Sequence, residues 1–537
     1  MRKQTKIAAI VSAAALLVIG ASMTSFAATG WQEENGTWVY YNKAGEKVTE
    51  EWAKSGDKWF YLGSEGEMVT NSIIEDNGNI FYVDENGVMV TNRWVEIDNS
   101  ADEDDAAPDT VWYYFQNNGK AYTAPTSNNT SFKTINGKKY AFDEDGKMLF
   151  GWVGEQSNRL TDDSGWVDAI YYLGNSDDGA QFANTWAYIH VIDDQEEDED
   201  QDYWFYFGAN GKKYKKADPD KVYEKTINGK KYTFDMRGKM LSEWVATPNN
   251  ASWTDADSAS ASDFKYFSTP EDGARYTRSW FRVLPSKRFD SKDSEDEEAN
   301  ARWFYADGKG GLIVSKVKTI NGKKYAFDEN GEMLAGLRYV EFNAAGDIVS
   351  TEEINSLDKI KTYTEDYSAT WTDTAGKSGV YYFGDEEKDG AMKTGLVNLT
   401  VDGDSYTFKF RASGANKGQG EHGRSDKSYY MNGRKVQADS DDKYKAYLLD
   451  PATNHRTILM DLDSTSLVKN VYKYKNDDPS KEIEYKGDKN SLNGYGAGDK
   501  IVVLNTSGSV ATGTKKDGYD VKLVIKGGYL VGAYIEY

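Results

Sequence analysis

The chain has 537 residues, 64 Lys and Arg against 87 Asp and Glu for a net charge of −23, no cysteine, and 38 Tyr and 15 Trp against only 8 Pro. That charge repels phosphate backbones and excludes nucleic-acid binding, and the missing thiols exclude both a disulfide framework and a cysteine-linked lipid anchor. The aromatic density sets the chain apart from disordered acidic sequences, because so many rings must be buried or must bind something.

The N-terminus reads as a secretory signal over 1–27. Arg2, Lys3 and Lys6 precede the apolar run IAAIVSAAALLVIG, and small residues offer cleavage after Ala27 or Ala28. The run is too short and alanine-rich for a permanent span, and no second one follows. Loss of the three basic residues takes the charge from −23 to −26. An exported protein without a membrane span is expected, at the cell wall or cell surface. With no sorting motif in view, attachment without a covalent bond is expected if the protein stays on a cell.

Residues 28–95 form a regular repeat. Trp31, Trp52 and Ile73 are spaced by 21, as are Trp38, Trp59 and Ile80, and Gly45, Gly66 and Gly87. Each unit alternates aromatic and polar residues between turns rich in Gly and Asn, which is a β-hairpin signal. A lone hairpin is marginal in water, so these must stack.

From 96 to 393 the period lengthens. TINGKKYAFDEDGKML begins at Thr134 and returns at Thr226 and Thr319 as TINGKKYTFDMRGKML and TINGKKYAFDENGEML. Acidic insertions lie between Trp94 and Trp112, between Trp186 and Trp204, and between Trp280 and Trp303. They lack a Gly-punctuated calcium loop and read as solvated hairpin tips, so no metal is expected. Residues 394–537 alternate in the same β fashion and read as divergent repeat-like hairpins ending in a cap. The predicted fold is all-β: a β-hairpin solenoid of stacked short repeats with acidic loop insertions and a β-rich C-terminal segment.

The units GWQEENGTWVYYNKAGEKV and EWAKSGDKWFYLGSEGEMV resemble the choline-binding or cell-wall-binding repeats of bacterial surface proteins and autolysins. The resemblance implies a quaternary-ammonium cage made by the first aromatic and the strand tryptophan of one repeat with a tyrosine of the next. Cation–π attraction is the physical basis, about 0.5–2 kcal/mol per ring. Transferred residue by residue, it implies two ligand-binding sets. Trp31 and Trp38 join Tyr61 in one, Trp52 and Trp59 join Tyr82 in the other, and Met68 and Met89 are flanking walls. Strand alternation places Trp59 and Tyr61 on one face and Phe60 and Leu62 on the other, the first read as cage and the second as packing core.

Aligned on its glycine, KKYAFDEDG puts Lys139 in the place of Trp59 and Ala141 in that of Tyr61. Lys231 with Thr233 and Lys324 with Ala326 repeat the substitution. The TINGKKY hairpins therefore read as structural, with no third complete set. Their lysines either plug the preceding tryptophan pairs (Trp94/Trp112, Trp186/Trp204, Trp280/Trp303) from within or merely lie along a ring with the charge kept in water.

Three scattered histidines (His190, His422, His455) and the lack of HExxH, GxSxG or cysteine motifs predict no catalytic residue, no cofactor and no enzyme. The expected partner is a bacterial cell-wall polymer, choline-bearing teichoic acid or a wall glycan. A carbohydrate-binding adhesin, or a cell-wall hydrolase with its catalytic residues in the C-terminal segment, are the alternatives.

Overall fold

The computed structural model describes residues 29–99, 108–125, 129–196, 200–218, 223–246, 260–290, 300–365, 376–385, 389–469, 472–474, 483–485, 487–517 and 520–535. The expected signal segment and the centres of the three acidic insertions lie outside them. Two compact units are present, Met1–Leu241 and Ser242–Tyr537.

The first unit is a succession of antiparallel hairpins. Strands Gly30–Glu34 and Thr37–Tyr41, Glu51–Ser55 and Lys58–Leu62, and Ser72–Asp76 and Asn79–Val83 form the three regular ones. In the first TINGKKY copy, Lys133–Ile135 pairs with Lys138–Tyr140 through a turn at Asn136 (φ 49°) and Gly137 (φ 81°). Two successive positive φ values are what a tight hairpin turn needs to match strand twist, and Asn-Gly supplies them at least cost. Asn228-Gly229 and Asn321-Gly322 repeat the geometry.

Stacking is set by backbone bonds between hairpins. The Met68 N–H donates to the Trp38 carbonyl at 2.7 Å and the Met89 N–H to the Trp59 carbonyl at 2.8 Å. The turn glycines Gly87 and Gly119 then sit over Met68 and Met89 of the preceding repeats. At Gly87 (φ 74°) an added Cβ would lie 2.9 Å from Met68 Sδ, so both its conformation and its neighbour call for glycine. Phe60, Leu62, Phe81 and Val83 are buried along the stack, the interior of an all-β hairpin solenoid.

The second unit continues with hairpins such as Ser279–Val283 with Arg302–Ala306 and Lys316–Ile320 with Lys323–Phe327. Its C-terminal part differs from the expected run of hairpins. A five-stranded sheet spans residues 395–435, and Tyr444–Leu449 pairs on one side with Ile458–Leu462 and on the other with Ile501–Asn505. Ala446, Val503, Leu523 and Ala533 share one core. Residues some fifty positions apart thus pair directly, and local alternation carries no sign of that.

Candidate functional site

In the first two regular hairpins both tryptophans project from one face. Trp31 is opposite Tyr40 and Glu33 opposite Trp38, and likewise Trp52 is opposite Tyr61 and Lys54 opposite Trp59. The next hairpin in the stack turns its other face toward this one. A hollow is therefore lined by Trp31, Trp38, Ser55, Phe60 and Met68. The Trp31 and Phe60 rings meet edge to face at 5.2 Å and 70°.

Of the first expected set, the structure brings Trp31, Trp38 and Met68 together and puts Phe60 where Tyr61 was placed. Tyr61 packs instead against its cross-strand partner Trp52 at 5.2 Å. The second set shifts in the same way. Trp52 meets Phe81 edge to face at 5.2 Å, with Met89 packed alongside and its N–H on the Trp59 carbonyl. Tyr82 is buried, stacks on Phe115 at 6.0 Å and donates its hydroxyl to Asn71. The cause is the two-residue period of a strand. A residue on the tryptophan face of one hairpin cannot also face the hairpin before it, and one step along the chain reverses the side. Trp59 is the most exposed of these rings, with the Lys54 ammonium 5.6 Å from its centroid.

With the faces assigned this way, the TINGKKY hairpins change meaning. Tyr140, Tyr232 and Tyr325 occupy the position of Phe60. Tyr140 meets Trp94 at 4.9 Å and 68°, Tyr232 meets Trp186 at 4.8 Å and 64°, and Tyr325 meets Trp280 at 4.8 Å and 66°. The second tryptophan completes each corner: Trp112 packs on the Tyr140–Met148 cluster, and Trp204 and Trp303 lie 6.4 Å from Trp186 and Trp280. Met148 and Met333 donate to the carbonyls of Trp112 and Trp303 at 2.7 and 2.8 Å, as Met68 does to Trp38. Met240 stands at the same offset from Tyr232 as Met148 from Tyr140.

The packing face of these hairpins, expected to be structural, is the one that meets the preceding tryptophan pair. Each carries a stripped face of its own and, on the other side, supplies the third ring and the methionine to the tryptophan pair before it. Five quartets of like geometry result: Trp31/Trp38/Phe60/Met68, Trp52/Trp59/Phe81/Met89, Trp94/Trp112/Tyr140/Met148, Trp186/Trp204/Tyr232/Met240 and Trp280/Trp303/Tyr325/Met333. The sequence signal was the constant eight-residue step from third ring to methionine, which pairs Phe60 with Met68 and Tyr140 with Met148 alike.

The lysine plug is also corrected. None of Lys139, Lys231 and Lys324 lies over a ring of its expected pair, and Lys231 reaches Glu224 at 3.3 Å. A built-in cation is present elsewhere. In the layer of Trp152, Ile170 replaces the second tryptophan and Lys213 takes the methionine position, eight residues after Phe205. Its N–H donates to the Ile170 carbonyl, and its ammonium lies 5.2, 5.9 and 5.8 Å from the Trp152, Trp166 and Phe205 rings. It also donates to the Trp166 and Val167 carbonyls. Burial, reinforced by Lys215, pushes this ammonium down to about 7.

The histidines lie in unrelated settings. His190 is on an exposed strand edge 3.4 Å from Asp202, and burial with nearby Arg411 lowers the pKa of His422. Among the described residues no group of His, Asp and Glu is arranged to hold a metal ion.

Stacked β-hairpins with aromatic corners repeated between them define a class of repeat-built binding module. A family model for the choline-binding repeat matches residues 28–71 and 48–94, and one for the cell wall binding repeat matches 109–121 and 130–148. Over these residues the chain carries choline-binding and cell wall binding repeats, and such repeats imply cell-wall binding. A glucosyltransferase-S of Streptococcus mutans is 26% identical over 243 residues, 43% of this chain and 12% of that protein, so the match spans a small part of the relative's length. Among solved structures, the modular autolysin LytC of Streptococcus pneumoniae is 18% identical, covering 62% of this chain and 59% of that one with a TM-score of 0.31. The choline-binding domain of CbpL from the same organism is 16% identical, covering 54% and 100% with a TM-score of 0.24. No helix among the described residues is long and apolar enough to cross a membrane.

Proposed function

We propose that this protein attaches non-covalently, and without catalysis of its own, to a bacterial cell-wall polymer that carries quaternary ammonium groups, choline-substituted teichoic acid being the fitting chemistry. The observation that carries this reading is the fivefold recurrence of two tryptophans, a third ring and a methionine across a hairpin junction. Ring pairs meeting at 62–70° form a concave corner, which surrounds a cation with π faces. A sugar-binding platform needs a flat exposed ring, so the corner geometry favours a cation over a glycan.

Three rings at about 0.5–2 kcal/mol each support a site near millimolar affinity, about 4 kcal/mol. Several such sites on one chain, meeting a polymer with repeated ligands, raise avidity by roughly 10²–10⁴. Export to the cell surface is the setting this role requires. The test is tryptophan fluorescence of the full chain titrated with choline, repeated with Trp38→Ala and with Trp112→Ala. A saturable response that shrinks in both variants supports the reading. No response up to tens of millimolar, with the fold intact by circular dichroism, overturns it.

A further inference from the structure

The hairpin that carries Trp186 and Trp204 is longer than the regular ones. Its strands Thr185–Ile192 and Asp200–Phe207 have 8 residues each, against 5 in Gly30–Glu34 and Thr37–Tyr41. Trp186, Tyr188 and His190 follow one another on one face, opposite Tyr206, Trp204 and Asp202.

The rung of Tyr188 sets this corner apart. In the other four, the residue across from the second tryptophan is charged: Glu33 faces Trp38, Lys54 faces Trp59, Glu96 faces Trp112 and Arg282 faces Trp303. Here it is a tyrosine. Tyr188 rests on Trp204 with ring centroids 5.0 Å apart and planes at 38°, yet it stays 58% exposed. The two rings make a shallow open wedge, unlike the corners at 62–70°. An apolar ring in the place where the other corners put a charge is unexplained by packing.

The next rung is polar. His190 Nδ1 stands 3.4 Å from Asp202 Oδ1, and the two side chains are 62% and 50% exposed. It lies two residues further along the strands, about 7 Å from the ring pair. The opposite face of the hairpin is packed: Ala187, Ile189, Val191 and Phe205 are buried with Trp166, and the Tyr203 hydroxyl donates to Asp193 at 2.9 Å. Ring pair and polar pair are thus held on strands fixed from behind.

We infer that this face is a saccharide platform. A gluco-configured pyranose stacks its apolar C–H face on the Tyr188/Trp204 wedge and turns its hydroxyl edge toward His190 and Asp202. Such a sugar carries axial C–H bonds on its faces and equatorial hydroxyls around its rim, the same apolar-then-polar order that the two rungs present. Imidazole and carboxylate together offer a donor and acceptors to vicinal hydroxyls, each of which needs both. A bare cation finds no enclosing corner in a 38° wedge. An apolar peptide side chain would cover the rings and leave the polar pair unmatched. The platform is separate from attachment through the aromatic corners and does not depend on it.

The experiment is saturation-transfer NMR of the full chain titrated with chitohexaose and, in a separate arm, with isomaltohexaose. A choline titration by tryptophan fluorescence accompanies every sample. Saturable transfer to at least one oligomer is expected, strongest at its ring C–H protons, and the oligomer that responds tells an amino-sugar chain from a glucan. Binding should weaken at least tenfold in Tyr188→Ala and in Tyr188→Lys, which copies the Lys54–Trp59 rung, and at least threefold in Asp202→Asn. The choline response should persist in all three, since each substituted side chain is exposed and outside the corners. No transfer from either oligomer, or undiminished binding in Tyr188→Lys, overturns the inference. So does a choline response lost together with saccharide binding in Tyr188→Lys while circular dichroism shows the fold intact, because the ring would then be a fourth wall of the cation corner.

Discussion

Replacing Lys213 with methionine restores to the Trp152 layer the residue that the five quartets carry. The lysine is 6% exposed and is ringed by Trp152, Trp166 and Phe205, with Asp168, Asp235 and Lys215 as its charged neighbours. Burial lowers its pKa from 10.5 to about 7. Because the folded form binds the proton less tightly than the unfolded chain, stability rises with pH between about 7 and 10.5, by up to about 5 kcal/mol at 1.36 kcal/mol per pH unit. Methionine abolishes that charging cost. It forfeits the two carbonyl hydrogen bonds, about 1 kcal/mol each, and a cation–π contribution of about 1 kcal/mol. Near pH 7 the variant is therefore expected to be more stable by about 1–3 kcal/mol, the margin vanishing and reversing as pH approaches 10. Denaturant unfolding of both proteins from pH 6 to 10, followed by tryptophan fluorescence and compared by midpoint at constant slope, measures this. A wild type with flat stability over that range and a variant less stable at every pH would refute the reasoning. The rings and carbonyls would then hold the ammonium charged at a net gain.

Three other outcomes are expected. Tyr232→Ala removes the third wall from the Trp186/Trp204 corner, so it should lower the amplitude of a choline titration and cost about 2–4 kcal/mol of stability through the cavity it leaves; Tyr232→Phe, which keeps the ring, should preserve both. Burial, with Asp328 and Asp290 beside it, raises the Glu332 carboxyl to about 9. Its folded pKa lies above its ordinary value of 4.5, so its contribution is present at low pH and is lost as pH rises from about 4.5 to 9. Glu332→Gln should flatten that fall by at most about 1.4 kcal/mol per pH unit, as read by thermal melts across the range. Gly87→Ala should destabilise by more than 1 kcal/mol in the same melts, because the new Cβ meets both a positive φ and the Met68 sulfur, and Met68→Ala should relieve part of that cost when combined with it.

Much of this architecture was legible along the chain. Period-2 aromatic runs bounded by Asn-Gly turns determine hairpins, because local backbone preference and alternation need no distant partner to act. The 21-residue spacing of Trp31 and Trp52, and of Trp38 and Trp59, likewise gave away the repeat and two walls of each candidate corner. The third wall was decided only by stacking. A strand has two faces, and whether Phe60 or Tyr61 meets Trp31 depends on which side the next hairpin presents, a choice made by the Met68-to-Trp38 backbone bond between hairpins. That same choice turned Tyr140, Tyr232 and Tyr325 from packing residues into corner walls. The pairing of Tyr444–Leu449 with Ile501–Asn505 and the burial of Lys213 among three rings were also tertiary decisions. Each joins residues far apart in sequence, where alternation is the same whichever partner the strand finds.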